Sequence, residues 1–64
     1  MCEANVYLLR RGGGEELVME ELQVLIPQGE EVYLRSILGE ERRLRARLKE
    51  AHLVEHRVLL EELP

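Results

Sequence analysis

The chain has 64 residues, and nine lysines and arginines against thirteen glutamates give it a net charge of −4 at pH 7. A domain this short buries only about 60% of the surface of its unfolded chain, so a metal or a second subunit usually supports it. The single cysteine excludes an internal disulfide. The acidic balance makes nucleic acid an unlikely partner, because phosphate contacts supply most non-specific affinity.

The beginning of the chain is predicted to be a strand. Cys2, Ala4, Val6 and Leu8 share one parity and the residues between them are polar or aromatic, which is the period of a half-buried strand. The glycines at positions 12–14 then indicate a flexible hairpin turn, since they lack the lysine and hydroxyl residue of a phosphate-binding loop.

Three further strands are expected between Glu15 and Leu38. One runs from Glu15 to Met19, the next from Leu22 to Ile26, and another covers residues 32–38. The apolar parity changes across Glu20-Glu21, which predicts a turn or a β-bulge there.

The last third of the chain allows two interpretations. Residues 40–63 contain neither Gly nor Pro and are rich in Glu, Arg and Leu, which favours a helix. Residues 43–48 also alternate as a strand would, and Val58 and Leu60 could form a final strand after a turn near residues 54–57. These rules alone leave helix and strands about equally favoured.

Cys2 is the residue with the clearest possible chemistry. Its thiolate, the amide nitrogen of Cys2 and the amine of Met1 can form fused chelate rings; if Met1 is removed, the Cys2 amine and thiolate form one ring with the Glu3 amide beside it. Such nitrogen and sulfur donors suit Ni(II) or Cu(II) in square-planar geometry. Two chains about a twofold axis would complete a set of four donors. The alternative is that Cys2 is only a small core residue.

Two other groups of residues are candidates for binding. His52 and His56 have the i, i+4 spacing of a two-histidine metal site on a helix, although surface histidines are the commoner explanation. Arg43, Arg45 and Arg47 could form an RNA-binding face, or a solvated stripe paired with glutamates. No catalytic triad is arguable, because the chain has one serine and no aspartate, and we expect no enzyme.

The sequence resembles the CooT family of small nickel-binding proteins, whose members have also been labelled predicted RNA-binding proteins. The resemblance is most specific at Met1-Cys2-Glu3-Ala4-Asn5-Val6-Tyr7-Leu8. It continues through residues 14–20 and 32–40, and through residues 46–61 at the end. It implies a mostly β, dimeric domain that binds Ni(II) through Cys2, strands in the last third, and a client among nickel enzymes under maturation.

We therefore expect residues 1–64 to form a single domain, a mostly β, antiparallel, β-barrel-like fold of about six short strands, which is dimeric. The expected function is a cytoplasmic nickel chaperone, store or sensor. Its site would be Cys2 at a dimer interface, with the Met1 amine and the Glu3 amide as further donors. The alternative functions are RNA binding through the three arginines and a plain interaction domain. No membrane segment is predicted.

Overall fold

The computed structural model describes residues 3–64 and contains six strands in that range. They are β1 (Ala4–Leu9), β2 (Glu15–Gln28), β3 (Glu31–Ser36), β4 (Glu41–Leu44), β5 (Ala46–His52) and β6 (Arg57–Glu62). Residues 3–64 include no helix, and so none that could cross a membrane. The prediction of a mostly β protein of about six strands is confirmed.

All six strands belong to one sheet, in the order β4-β3-β2-β1-β6-β5. Neighbouring strands are antiparallel except for β1 and β6, which run parallel from Asn5 beside Arg57 to Leu9 beside Glu61. The first strand is therefore paired on both sides, by β2 and by β6. The expectation of a wholly antiparallel sheet is wrong at this one pair.

The predicted barrel is also wrong, because the sheet is open. Among the strands of residues 3–64, β4 pairs only with β3, and β5 pairs only with β6. A hairpin needs a loop of at least two residues, whereas Arg45 alone separates β4 from β5. The two edge strands consequently follow each other in the chain without forming a ladder, and the barrel does not close.

The core lies on one side of this bent sheet. Its fully buried large side chains are Val6 from β1, Val32 and Leu34 from β3, and Leu60 from β6. They come from alternate positions of their strands, as the pleat requires. One half of the sheet contributes β3 and the other half contributes β1 and β6, so both halves share one apolar cluster.

The β2 strand combines the two separate strands that the sequence predicts. The ladder with β1 shifts register between Met19 and Leu22 and again between Leu17 and Met19. The parity change at Glu20-Glu21 is therefore a bulge within a continuous strand. The second shift explains why the consecutive residues Val18 and Met19 are both buried.

The last third of the chain forms the strands β4, β5 and β6, as the resemblance implies. Leu48 lies beside Leu60, and His52 lies beside Arg57, in the β5–β6 ladder. Pairing and burial of Leu60 prevail over the helix propensity of the segment. The continuous strand expected over residues 43–48 is interrupted at Arg45, so the three arginines do not share one strand face.

Candidate metal site at the start of the first strand

Met1 and Cys2, the principal predicted ligands, lie outside the described residues. The third predicted contributor, Glu3, is exposed and immediately precedes β1. It lines a cavity of about 450 Å³ together with Asn5, Glu20, Glu21 and His56. The residue that follows Cys2 in the chain thus lies at a concave, polar part of the surface.

Asn5 connects the three segments that surround this cavity. Its backbone nitrogen donates a 2.8 Å hydrogen bond to the carbonyl oxygen of His56. Its side-chain oxygen accepts a longer hydrogen bond, 3.5 Å, from the backbone nitrogen of Glu21. The start of β1 is therefore tied to the β2 bulge on one side and to the turn before β6 on the other.

Both of these partners of Asn5 have left-handed backbone conformations. Glu21 has φ 55° and His56 has φ 60°, and they are the non-glycine residues with positive φ in residues 3–64. Such conformations are uncommon for residues that carry a Cβ atom. The bulge at Glu21 and the turn at His56 aim both residues at the same cavity.

The cavity is electrostatically negative. Glu3, Glu20 and Glu21 form no ion pair within residues 3–64, whereas Glu15 and Glu62 lie 2.7 and 3.0 Å from arginine nitrogens. No group of three or more His, Cys, Asp and Glu side chains in residues 3–64 is arranged to hold a metal ion. The described side chains alone therefore attract cations but do not form a complete metal site.

The two histidines are not brought together as a ligand pair. His52 is at the end of β5, and its Nε2 lies 2.7 Å from Glu50 Oε1 and its Nδ1 3.8 Å from Glu55 Oε1. The hydrogen bond to His52 lowers the pKa of Glu50. The helix that would align both histidines on one face does not form, and only His56 lines the cavity.

The three arginines of the predicted RNA-binding face are engaged in contacts within the fold. Arg45 is 3.0 Å from Glu30 and Arg47 is 2.9 Å from Glu61. The Arg43 guanidinium lies over the Tyr33 ring at 5.8 Å. Arg43 and Arg47 are on the two opposite edge strands. The arrangement gives no support to the predicted RNA-binding face.

Sequence reasoning missed three residues of the cavity, namely Asn5, Glu20 and Glu21. The parity change at Glu20-Glu21 identified the bulge, but not which strand would lie opposite it. Asn5 occupies an ordinary polar position of β1. Its role depends on the parallel pairing with β6, which local patterns do not reveal.

Comparison with known proteins identifies relatives over nearly the whole chain. The family model described as CO dehydrogenase accessory protein CooT matches residues 1–61. The crystal structure of a protein from Carboxydothermus hydrogenoformans, assigned as CooT, is 38% identical, with a TM-score of 0.87, and the match covers 98% of this chain and 100% of that chain. A comparison with curated proteins finds no match. The resemblance seen in the sequence is confirmed, and the chain belongs to the CooT family.

Proposed function

We propose that this protein binds Ni(II) through Cys2 and carries it, without catalysis, to a carbon monoxide dehydrogenase or a related nickel enzyme. The family description supports an accessory role for such an enzyme. The observation that carries the proposal is the position of Glu3, which follows Cys2 and lines a negative cavity with Glu20, Glu21 and His56. That surface attracts cations, and the only thiol of the chain belongs to the residue before Glu3.

The donor set fits nickel as a cargo. A thiolate and one or two backbone nitrogens, from Met1, Cys2 or Glu3, are strong donors of the kind that Ni(II) prefers in square-planar sites. One chain supplies at most three of them. A second chain related by a twofold axis would supply the remainder, so we propose one Ni(II) for each homodimer.

The strand that follows Cys2, β1, is held firmly by the rest of the fold. β1 is hydrogen-bonded to strands on both sides, and Val6 and Leu8 anchor it in the core. Glu3, in contrast, is exposed. A rigid strand that begins two residues after Cys2 would hold the metal in a defined place, and the exposure of Glu3 would allow another protein to exchange the ligands.

Nickel titration by calorimetry tests this function on the wild type, Cys2→Ser and His52→Ser. His52→Ser is the matched control, because His52 is an exposed ligand-type side chain outside the cavity. We expect Cys2→Ser to lose high-affinity binding and the control to keep it. Binding by Cys2→Ser that equals the wild type would refute the assignment of the thiolate.

Native mass spectrometry tests the stoichiometry on the same proteins. The expected species is a dimer that carries one nickel ion. A monomer that binds one ion with the full wild-type affinity would refute the shared site, although it would leave Cys2 as the ligand.

A further inference from the structure

Two apolar turns flank the negative cavity at the start of β1. The turn between β3 and β4 carries Leu38, which is 85% exposed, and the turn between β5 and β6 carries Leu53 and Val54, which are 62% and 92% exposed. They are the three most exposed of the large apolar side chains in residues 3–64. Exposed apolar groups that gather near a polar pocket are typical of interaction sites.

Hydrogen bonds fix where these turns lie relative to the cavity. The nitrogen of Ile37, next to Leu38, donates to the carbonyl oxygen of Glu21 at 2.9 Å. The carbonyl oxygen of His56, two residues after Val54, accepts from Asn5 at 2.8 Å. Across the sheet, the β3–β4 turn, the β2 bulge, the start of β1 and the β5–β6 turn therefore follow one another in this order.

Several glutamates along the strands form ion pairs, whereas the glutamates of the cavity form none within residues 3–64. Arginines neutralise Glu15, Glu16, Glu61 and Glu62 on the strands. The cavity glutamates, Glu3, Glu20 and Glu21, have no such partner within residues 3–64. The resulting surface is a negative depression between two apolar projections.

We propose that this surface, defined by Leu38, Leu53, Val54 and the cavity residues Glu3, Glu20 and Glu21, is the docking site for a protein partner. The partner presents a lysine or arginine side chain that enters the cavity, with apolar residues on either side that contact the two turns. The proposal rests on the proposed function only in identifying this partner as the apoenzyme that receives the metal. Docking at a surface that includes Glu3, the residue after Cys2 in the chain, would bring the acceptor within reach of the cargo.

Charge complementarity favours a basic partner over the alternatives. A second copy of this chain on the same surface would bring glutamates against glutamates, which is unfavourable. A second copy of this chain is therefore not the expected occupant of this surface. Nucleic acid is disfavoured for the same electrostatic reason.

Binding of metal-free carbon monoxide dehydrogenase to the immobilised wild-type protein, in the presence of a chelator, tests the proposal. Leu38→Ser combined with Val54→Ser is expected to weaken binding at least tenfold, since two interface anchors each contribute about 1 kcal/mol or more. Glu20→Lys is expected to weaken it by about tenfold and to reduce its dependence on salt. Because the assay contains no nickel, its failure is distinct from a failure of nickel binding.

Two control variants lie at the other end of the hairpin formed by β2 and β3. Ile26→Ser alters an apolar side chain that is 44% exposed, and Glu31→Lys reverses an exposed charge. Both are expected to bind as the wild type does, and thermal denaturation confirms that all variants fold. Absence of a complex with the wild type, or equal weakening by the controls, would overturn the proposal. If the free Leu38→Ser/Val54→Ser protein has a different oligomeric mass from the wild type, the surface binds a second copy and the proposal is overturned. If Cys2→Ser still binds nickel and Cys2→Ser/Glu20→Gln does not, the cavity is a cation site and the proposal is likewise overturned.

Discussion

Asn5 holds His56 in its left-handed conformation by donating a 2.8 Å hydrogen bond from its backbone nitrogen to the His56 carbonyl oxygen. The bond lies just before the parallel β1–β6 ladder, whose first pair is Asn5 and Arg57. The same asparagine accepts a hydrogen bond from Glu21, the other left-handed residue. The geometry of the cavity is thus linked to the stability of the turn before β6.

Substitution of His56 should reveal the backbone strain in that turn. A left-handed conformation costs a residue with a Cβ about 1–2 kcal/mol, and a β-branched side chain fits it worst. We expect His56→Val to have a free energy of unfolding about 1–2 kcal/mol lower than that of His56→Gly, measured by urea denaturation. His52, in an ordinary strand position, is the control, where valine should be the more stable of the two. Equal stability of the two His56 variants would contradict this account.

The core side chain of Leu34 should be essential to folding. It is fully buried in β3, and truncation of a buried leucine to alanine typically costs about 2–5 kcal/mol. That is a large share of the stability of a small domain. We expect Leu34→Ala to be largely unfolded at room temperature by circular dichroism. Leu38→Ala, at a site that is 85% exposed, should change stability by less than about 0.5 kcal/mol.

The hydroxyl of Ser36 supports the turn that carries Leu38. Its oxygen accepts hydrogen bonds from the backbone nitrogens of Leu38 at 3.2 Å and Glu40 at 3.1 Å, and the residue is buried. Ser36→Ala leaves both donors without this acceptor and should cost about 1–3 kcal/mol. Chemical denaturation measures the loss, and hydrogen exchange should accelerate at both amides. Unchanged exchange at Leu38 and Glu40 would refute the role of the hydroxyl.

Acid should destabilise the protein partly through Glu62. The backbone N–H of Arg11 and the guanidinium of Arg10 lower the pKa of Glu62 below its ordinary value of 4.5. Because the folded state then binds fewer protons than the unfolded state, this contribution is present above about pH 4.5 and is lost as the pH falls through the folded pKa. We expect Glu62→Gln to show a smaller loss of stability than the wild type between pH 6 and about pH 3. Glu31→Gln, which removes no ion pair within residues 3–64, should follow the wild-type curve.

Local patterns in the sequence predict most of the strands but not their arrangement. The alternation in residues 2–8 and the parity change at Glu20-Glu21 correspond to β1 and to the bulge in β2. The alternation over residues 43–48 misses the break at Arg45, because a strand can leave one ladder and join another without any change of composition. The parallel pairing of Asn5 with Arg57 joins positions 52 residues apart, and no local rule encodes it.

The candidate site was predictable only through its cysteine. Position and donor chemistry identify Cys2, Met1 and Glu3, and their role in binding nickel stays a prediction. The cavity that Glu3 lines also depends on Asn5, Glu20 and His56, which come from three strands or turns. A sequence reveals such a combination only after the order of strands is known.

The parallel pairing of the first strand with the last has a consequence for how the protein is made. Residues 3–5 emerge from the ribosome well before the turn and strand that complete their surroundings, residues 53–62. A nascent or prematurely terminated chain therefore has its N-terminal cysteine long before it has the cavity. The order of synthesis itself delays assembly of the site until residues 53–62 have been translated.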